Sequence, residues 1–151
     1  MASNERLFES KLVSLAGKSD KKAVLRFYKN NHVSARFKGL DSTYIVKENN
    51  QIIASVIVSQ ITINNTQCLL HGLVVESNYR KQGLAKLLLK TCKVNHRPLV
   101  LFAAKDLASF YQQQGFNLIP PVQVEDALTP ELLPRYLKYK AKQSSLSVFL
   151  S

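Results

Sequence analysis

The sequence predicts a mixed α/β fold: a central mixed sheet, antiparallel at first and parallel around residues 67–104, with flanking helices. Three observations predict it. Stretches rich in β-branched residues at 42–48, 51–63 and 67–75 are separated only by short asparagine-containing segments, the pattern of an antiparallel meander. A strand–helix–strand pattern follows, ending in the continuously apolar run Leu99 to Ala104, which suits the buried middle of a sheet. The 151 residues are 46% hydrophobic and carry no repeat or long linker, so residues 1–151 read as a single domain with a sizeable core.

Taken in order, Phe8, Leu12 and Leu15 fit a helical stripe with Gly17 as its C-cap. Ser19 or Asp20 can cap a helix that carries Val24, Phe27 and Tyr28 on one face and ends near Asn30-Asn31. Across 42–48, Tyr44 and Val46 alternate with Ile45. Asn49-Asn50 makes a tight turn because asparagine tolerates positive φ. A strand over 51–63 meets a second turn at Asn64-Asn65, and 67–75 is the third strand. Leu84, Leu87, Leu88 and Thr91 share a helical face. After the 98–104 strand, Asp106 can cap a helix through Gln114 that Gly115 ends. A helical or irregular insert then leads to a last strand over 145–150.

The formal charge is +11. Most of the excess lies in residues 1–100, in short runs rather than one tail. Such a field attracts polyanions, yet no zinc-finger spacing or RNA-recognition aromatic signature is present, and the basic residues look scattered. No nucleic-acid partner is expected on that reading. No apolar run is long enough to cross a bilayer, which makes the cytoplasm the default location. Cys68 and Cys92 have neither metal-ligand nor redox spacing and read as buried free thiols; no metal is expected.

The richest segment is Arg80-Lys81-Gln82-Gly83-Leu84-Ala85, between a strand and an amphipathic helix. Amide N–H groups at such a turn converge on a phosphate, and the positive end of the helix dipole favours the anion. Gly83 lets the backbone approach closely. A helix, a strand and a turn later comes Phe110-Tyr111-Gln112-Gln113-Gln114-Gly115-Phe116. The two segments at this separation resemble the GNAT superfamily of N-acetyltransferases, with a good match over about 42–118. The resemblance implies a first strand within Leu7–Leu15. It also implies a bulged strand at Leu73, Val74 and Val75 that splays from its parallel neighbour to admit the pantetheine arm of acetyl-CoA. Arg80, Lys81, Gln82, Gly83, Leu84 and Ala85 would wrap the pyrophosphate, and Ser109 would approach the pantetheine or sulfur.

It further implies that Tyr111 protonates the departing thiolate, whose conjugate acid has a pKa of about 8.5. Without the resemblance, Tyr111 reads as an aromatic packed beside Phe110 and Phe116. His71 matches a position where some members carry a histidine facing the amine, and its pKa of about 6.5 suits a base acting directly or through water. Simple alternation would put it on the face of Leu69, Leu73 and Val75; a core histidine is the other reading. His32 and His96 read as surface residues. The implied reaction is direct attack of a primary amine on acetyl-CoA in a ternary complex, without an acyl-enzyme. A small-molecule acceptor is preferred, and the net charge favours one bearing a carboxylate or phosphate, in a monomer or homodimer. The alternatives are a protein acetyltransferase, acting on N-termini or lysines, and a non-catalytic CoA-binding sensor.

Overall fold

The computed structural model describes residues 13–34, 41–63 and 66–151. Seven strands form one sheet: β1 (Val13–Leu15), β2 (Asp41–Glu48), β3 (Gln51–Ser59), β4 (Cys68–Val75), β5 (Leu99–Ala104), β6 (Asn117–Ile119) and β7 (Leu146–Leu150). Their order is β1-β2-β3-β4-β5-β7-β6, with β4 and β5 parallel and every other pair antiparallel. The helices are α1 (Lys21–Asn30), α2 (Leu84–Asn95), α3 (Ala108–Gln113), α4 (Val124–Ala127) and α5 (Leu133–Lys142). Among the described residues no helix is long and apolar enough to cross a membrane.

Two apolar layers sandwich the sheet. On one face Leu84, Leu88, Leu89 and Cys92 of α2 pack with Phe116 against Val56, Leu70, Leu101 and Phe149. On the other, Val24, Phe27 and Tyr28 of α1 meet Ile45 and Ile57, while Tyr136 and Leu132 meet Leu69, Val100 and Val148. Strands covered on both sides bury consecutive residues, so Ile53 to Ser59 are all buried. Tyr44 and Val46 point to the α2 layer and Ile45 to the α1 layer, as alternation requires. Asn49 and Asn50 turn the β2–β3 hairpin with φ of 52° and 64°.

Several boundaries differ from the sequence reading. Residues 13–15 are a strand beside β2, not the end of a helix, and Gly17 opens a 3₁₀ turn over Lys18–Asp20. Phe8, Leu12 and residues 7–12 of the implied strand lie outside the described residues, as does the Asn64-Asn65 turn. The Asp20 carboxylate does not cap α1; it accepts from Gly17 N–H and Lys47 Nζ, both at 2.9 Å. Strand β3 stops at Ser59, short of residue 63. Asp106 sits inside a 3₁₀ turn over Lys105–Leu107, so the residue preceding α3 is Leu107, without a side-chain cap. The helix ends at Gln113, and Gly115 turns the chain with φ of +87°. Strand β6 went unread because three residues, two of them apolar, carry no period of their own.

Candidate active site

The parallel β4/β5 ladder has two Cα pairs, Cys68↔Leu99 and Leu69↔Val100. Beyond them β4 runs on to Val75 paired only with β3, and β5 runs on to Ala104 paired only with β7. The β5-facing edge of β4 from Leu70 onward therefore has main-chain groups outside any ladder. A bulge occupies the same stretch. Ser55 pairs with Val74 and Ile57 with His71, so Val56 alone opposes both Gly72 and Leu73. Gly72 has φ of +64°, the left-handed residue that such a bulge needs. A Cβ there would also sit 3.3 Å from Ile57 Cδ1 and from Tyr28 Oη.

The bulge overturns one expectation. An extra residue reverses the alternation of side chains, so Leu73 and Val75 pack into the α2 layer while Leu69 and Val74 pack on the other face. His71 pairs with Ile57 of that other face and is separated from Leu73 and Val75. Its Nε2 lies 2.6 Å from the Oγ of buried Ser59. Burial pushes the imidazole pKa down, with Asp41 acting to raise it and Arg135 to lower it. His71 is thus neutral at pH 7, the form a base requires.

Tyr28 fastens the bulge from α1. Its hydroxyl donates to Gly72 C=O at 2.7 Å and lies 3.0 Å from Ser55 Oγ, which in turn donates to Tyr44 C=O at 3.0 Å. Sequence reading took Tyr28 as one more member of an apolar stripe; nothing along the chain marks its hydroxyl. Ser59, Asp41 and Arg135 were likewise unread as a group, because they come together only across strands and from α5.

The expected phosphate loop has the backbone that an anion site needs. Lys81 and Gly83 have φ of 65° and 83°, and turns of this kind gather successive N–H groups into a concavity. The helical ladder of α2 begins with Leu87 N–H to Gly83 C=O, so the N–H groups of Leu84, Ala85 and Lys86 precede it. No acidic residue lies in the first turn. A Cβ on Gly83 would meet nothing within 4 Å, so its conformation, not crowding within the chain, calls for glycine. Arg80, Lys81 and Gln82 are exposed. Arg80 Nε donates to Val75 C=O at 3.1 Å, which ties the loop to the end of β4.

Tyr111 stands on α3, on the α2 side of the sheet. Its ring is 5.1 Å from Phe110, 6.2 Å from Phe116 and 5.4 Å from Phe149 between centroids. Its hydroxyl has no hydrogen-bond partner among the described residues, and burial raises its pKa, which keeps the proton on. Ser109 is exposed, and its side chain makes no hydrogen bond among the described residues.

His96 corrects the reading of a surface residue: it is half-buried, with Nε2 2.9 Å from Tyr44 Oη. His32 is exposed. Both cysteines are free, and burial pushes the Cys92 thiol up to about 12. A cavity of about 290 Å³ opens between α1 and the β2–β3 turn, lined by Arg26, Asn30, Asn50, Gln51 and Glu76; it borders the end of β4, not Tyr111 or His71.

A broken parallel ladder beside a bulged strand, with a loop left-handed at Lys81 and Gly83 opening the next helix, is the backbone arrangement that the resemblance to acetyltransferases implies. Residues 40–118, just over half of the sequence, match the acetyltransferase (GNAT) domain, and the chain belongs to that family. No curated protein matches it significantly.

Solved structures agree in fold. The ribosomal-protein-S18-alanine N-acetyltransferase of Escherichia coli is 18% identical with a TM-score of 0.58, over 72% of this chain and 78% of that one. A Vibrio cholerae spermidine N-acetyltransferase is 11% identical with a TM-score of 0.55, over 72% and 81%. N-acetylglutamate synthase from Neisseria gonorrhoeae, complexed with coenzyme A and N-acetyl-glutamate, is 12% identical with a TM-score of 0.59; the match takes in 91% of this chain but 34% of that one.

Proposed function

We propose that residues 1–151 form one acetyltransferase domain that moves an acetyl group from acetyl-CoA to the primary amine of a small molecule in a ternary complex. The observation that carries this reading is the two-pair β4/β5 ladder opening beside the Gly72–Leu73 bulge. The pantetheine arm of the co-substrate would bond to the open edge of β4 around Leu73, Val74 and Val75. Its pyrophosphate would sit on the N–H groups of the Arg80–Ala85 loop, with Ser109 beside the arm. The residues fit that group: the loop is left-handed at Lys81 and Gly83 and free of acidic side chains in the first helical turn.

A primary amine with a pKa of about 10.4 is roughly 0.1% neutral or less at pH 7, so its proton must be removed. His71, neutral through burial, takes that proton directly or through water. The amine nitrogen attacks the acyl carbon, the C–N bond forms, the C–S bond breaks and the nitrogen releases its second proton to solvent. Tyr111 gives its phenolic proton to the departing sulfur and is reprotonated from solvent. Neither cysteine adjoins the loop or Tyr111, and both thiols are raised in pKa, which supports direct attack. The formal charge of +11 supports an acceptor bearing an acidic group.

Thiol release from acetyl-CoA across a panel of amines, amino acids and aminoglycosides tests the reading, with a product one acetyl group heavier. Tyr111→Phe should slow turnover by about 10²–10⁴ while leaving acetyl-CoA affinity within a few-fold. Equal, slow release by wild type and variant on every amine would leave the catalytic assignment without support and favour a CoA sensor. Turnover only on peptides would favour a protein acceptor.

A further inference from the structure

The basic residues that look scattered along the sequence are gathered by α2. A groove of about 350 Å³ between α2 and the end of α3 is lined by Lys86, Lys90, Lys93 and Arg97, with Gln113 and Gln114 on its far side. Lys86, Lys90 and Lys93 follow one another at intervals of four and three residues, which keeps them on one face of α2, and Arg97 lies just past the helix end. Among the described residues none of them has a carboxylate within 4.0 Å. Arg97 and Lys93 sit at the C-terminal end of α2, where positive charge suits the helix dipole, whereas the ammonium groups of Lys86 and Lys90 are exposed and make no hydrogen bond or ion pair among the described residues.

Two members are held in place. Lys93 Nζ donates to Gln114 C=O at 2.8 Å and lies 5.5 Å from the Phe116 ring centroid, and Arg97 Nε donates to Lys93 C=O at 3.0 Å. The groove is therefore a built feature, on a chain whose overall charge is +11 and whose pI is about 9.8.

We infer that this groove is a docking site for the phosphodiester backbone of a double-stranded nucleic acid. Lys86 to Lys93 rise about 10 Å along the helix, the length over which one strand presents about three phosphates. Lysine ammoniums act on phosphate as point charges, and three in a row need no fixed orientation of the ligand. No aromatic ring lines the groove, so it lacks the stacking platform of a single-strand binder. Binding is independent of base sequence and steep in salt. Three or four contacts give a slope of log K against log salt of about −3.

The test is fluorescence anisotropy with a labelled duplex of mixed sequence, titrated at several salt concentrations. Lys90→Gln with Arg97→Gln should weaken binding at least about tenfold near 0.1 M salt and flatten the slope by about 2. The charge-matched pair Lys138→Gln with Lys142→Gln, on exposed positions of α5, should leave both unchanged. Lys90→Glu alone gives a second, single-site variant. Melting temperature and acetyl-CoA affinity of every variant should match wild type. Saturating acetyl-CoA should leave duplex binding in place.

Equal losses in the two double variants would overturn the inference in favour of diffuse charge. Complete displacement by acetyl-CoA would locate the phosphates at the Arg80–Ala85 loop instead. Polyglutamate of matched charge binding as tightly as the duplex would assign the groove to an acidic polypeptide.

Discussion

Tyr28→Phe removes one oxygen and keeps the ring that fills the α1 side of the core. The hydroxyl is buried, with the residue 1% exposed, and burial raises its pKa, so it is a permanent donor. Proton counting defines what is lost. Tyr28 and Ser55 carry two protons between them for three close oxygen pairs, and the Gly72 carbonyl can only accept. Without Tyr28 Oη, that carbonyl has lost its 2.7 Å donor at the one point where β4 leaves regular pairing. A fully buried acceptor stripped of its donor costs about 1–3 kcal/mol, and the Gly72 carbonyl is half-buried, which sets the lower end of that range. Taking about 1 kcal/mol, a domain of this size melts roughly 2–4 °C lower.

Calorimetry measures that shift, and titration with acetyl-CoA measures whether the bulge still presents its edge. Both should change together, with weaker acetyl-CoA binding accompanying the lower melting temperature. Ser55→Ala leaves the Tyr28–Gly72 bond intact and should change affinity far less. A Tyr28→Phe protein that melts within 1 °C or so of wild type and binds acetyl-CoA equally would refute the reasoning. The β3–β4 backbone alone would then hold the bulge.

Other expectations follow from the same geometry. Gly83→Ala should cost about 1–2 kcal/mol of stability through its left-handed φ, and acetyl-CoA affinity should fall about tenfold or more as the methyl group enters the anion-binding concavity; calorimetry reads both. Because burial lowers the His71 pKa, kcat/KM should be level at and above neutral pH and fall on the acid side of 6.5, and His71→Gln should erase that acid limb. The same shift, shared by His96, makes the unfolded chain bind protons first. Stability should be full above about pH 6.5 and decline as pH falls through the folded-state values, which urea titrations at stepped pH would show. Gln67→Ala removes bonds to Ala127 C=O and Thr129 N–H, at 2.8 and 2.9 Å, from a nearly buried position; a loss of about 2–4 kcal/mol and faster amide exchange over residues 124–136 are expected.

Much of this chain was legible before folding was considered. The meander, the buried strand at 99–104 and the amphipathic face of Leu84, Leu87 and Leu88 are carried by local periodicity, and local periodicity survives into the structure because each element buries the stripe it displays. The turn at Arg80–Ala85 was legible for a similar reason: Gly83 marks a left-handed backbone position, and the structure has one there. His71 was visible as a residue and rightly grouped with Leu69, but wrongly grouped with Leu73 and Val75, since alternation assumes one residue per pleat and the bulge at Gly72 breaks that count. The Tyr28 clamp and the Ser59–His71 contact had no signature along the chain, whereas the basic stripe on α2 was present in the spacing of Lys86, Lys90 and Lys93 and went unread.

The clamp and the Ser59–His71 contact depend on groups brought together by sheet register or helix packing, from positions as much as 44 residues apart for Tyr28 and Gly72. Sequence therefore determined most of the elements and the turn that a left-handed glycine requires. Only the tertiary structure decided which groups face one another, because register and packing come from burial of the whole sheet and not from any single stretch of it.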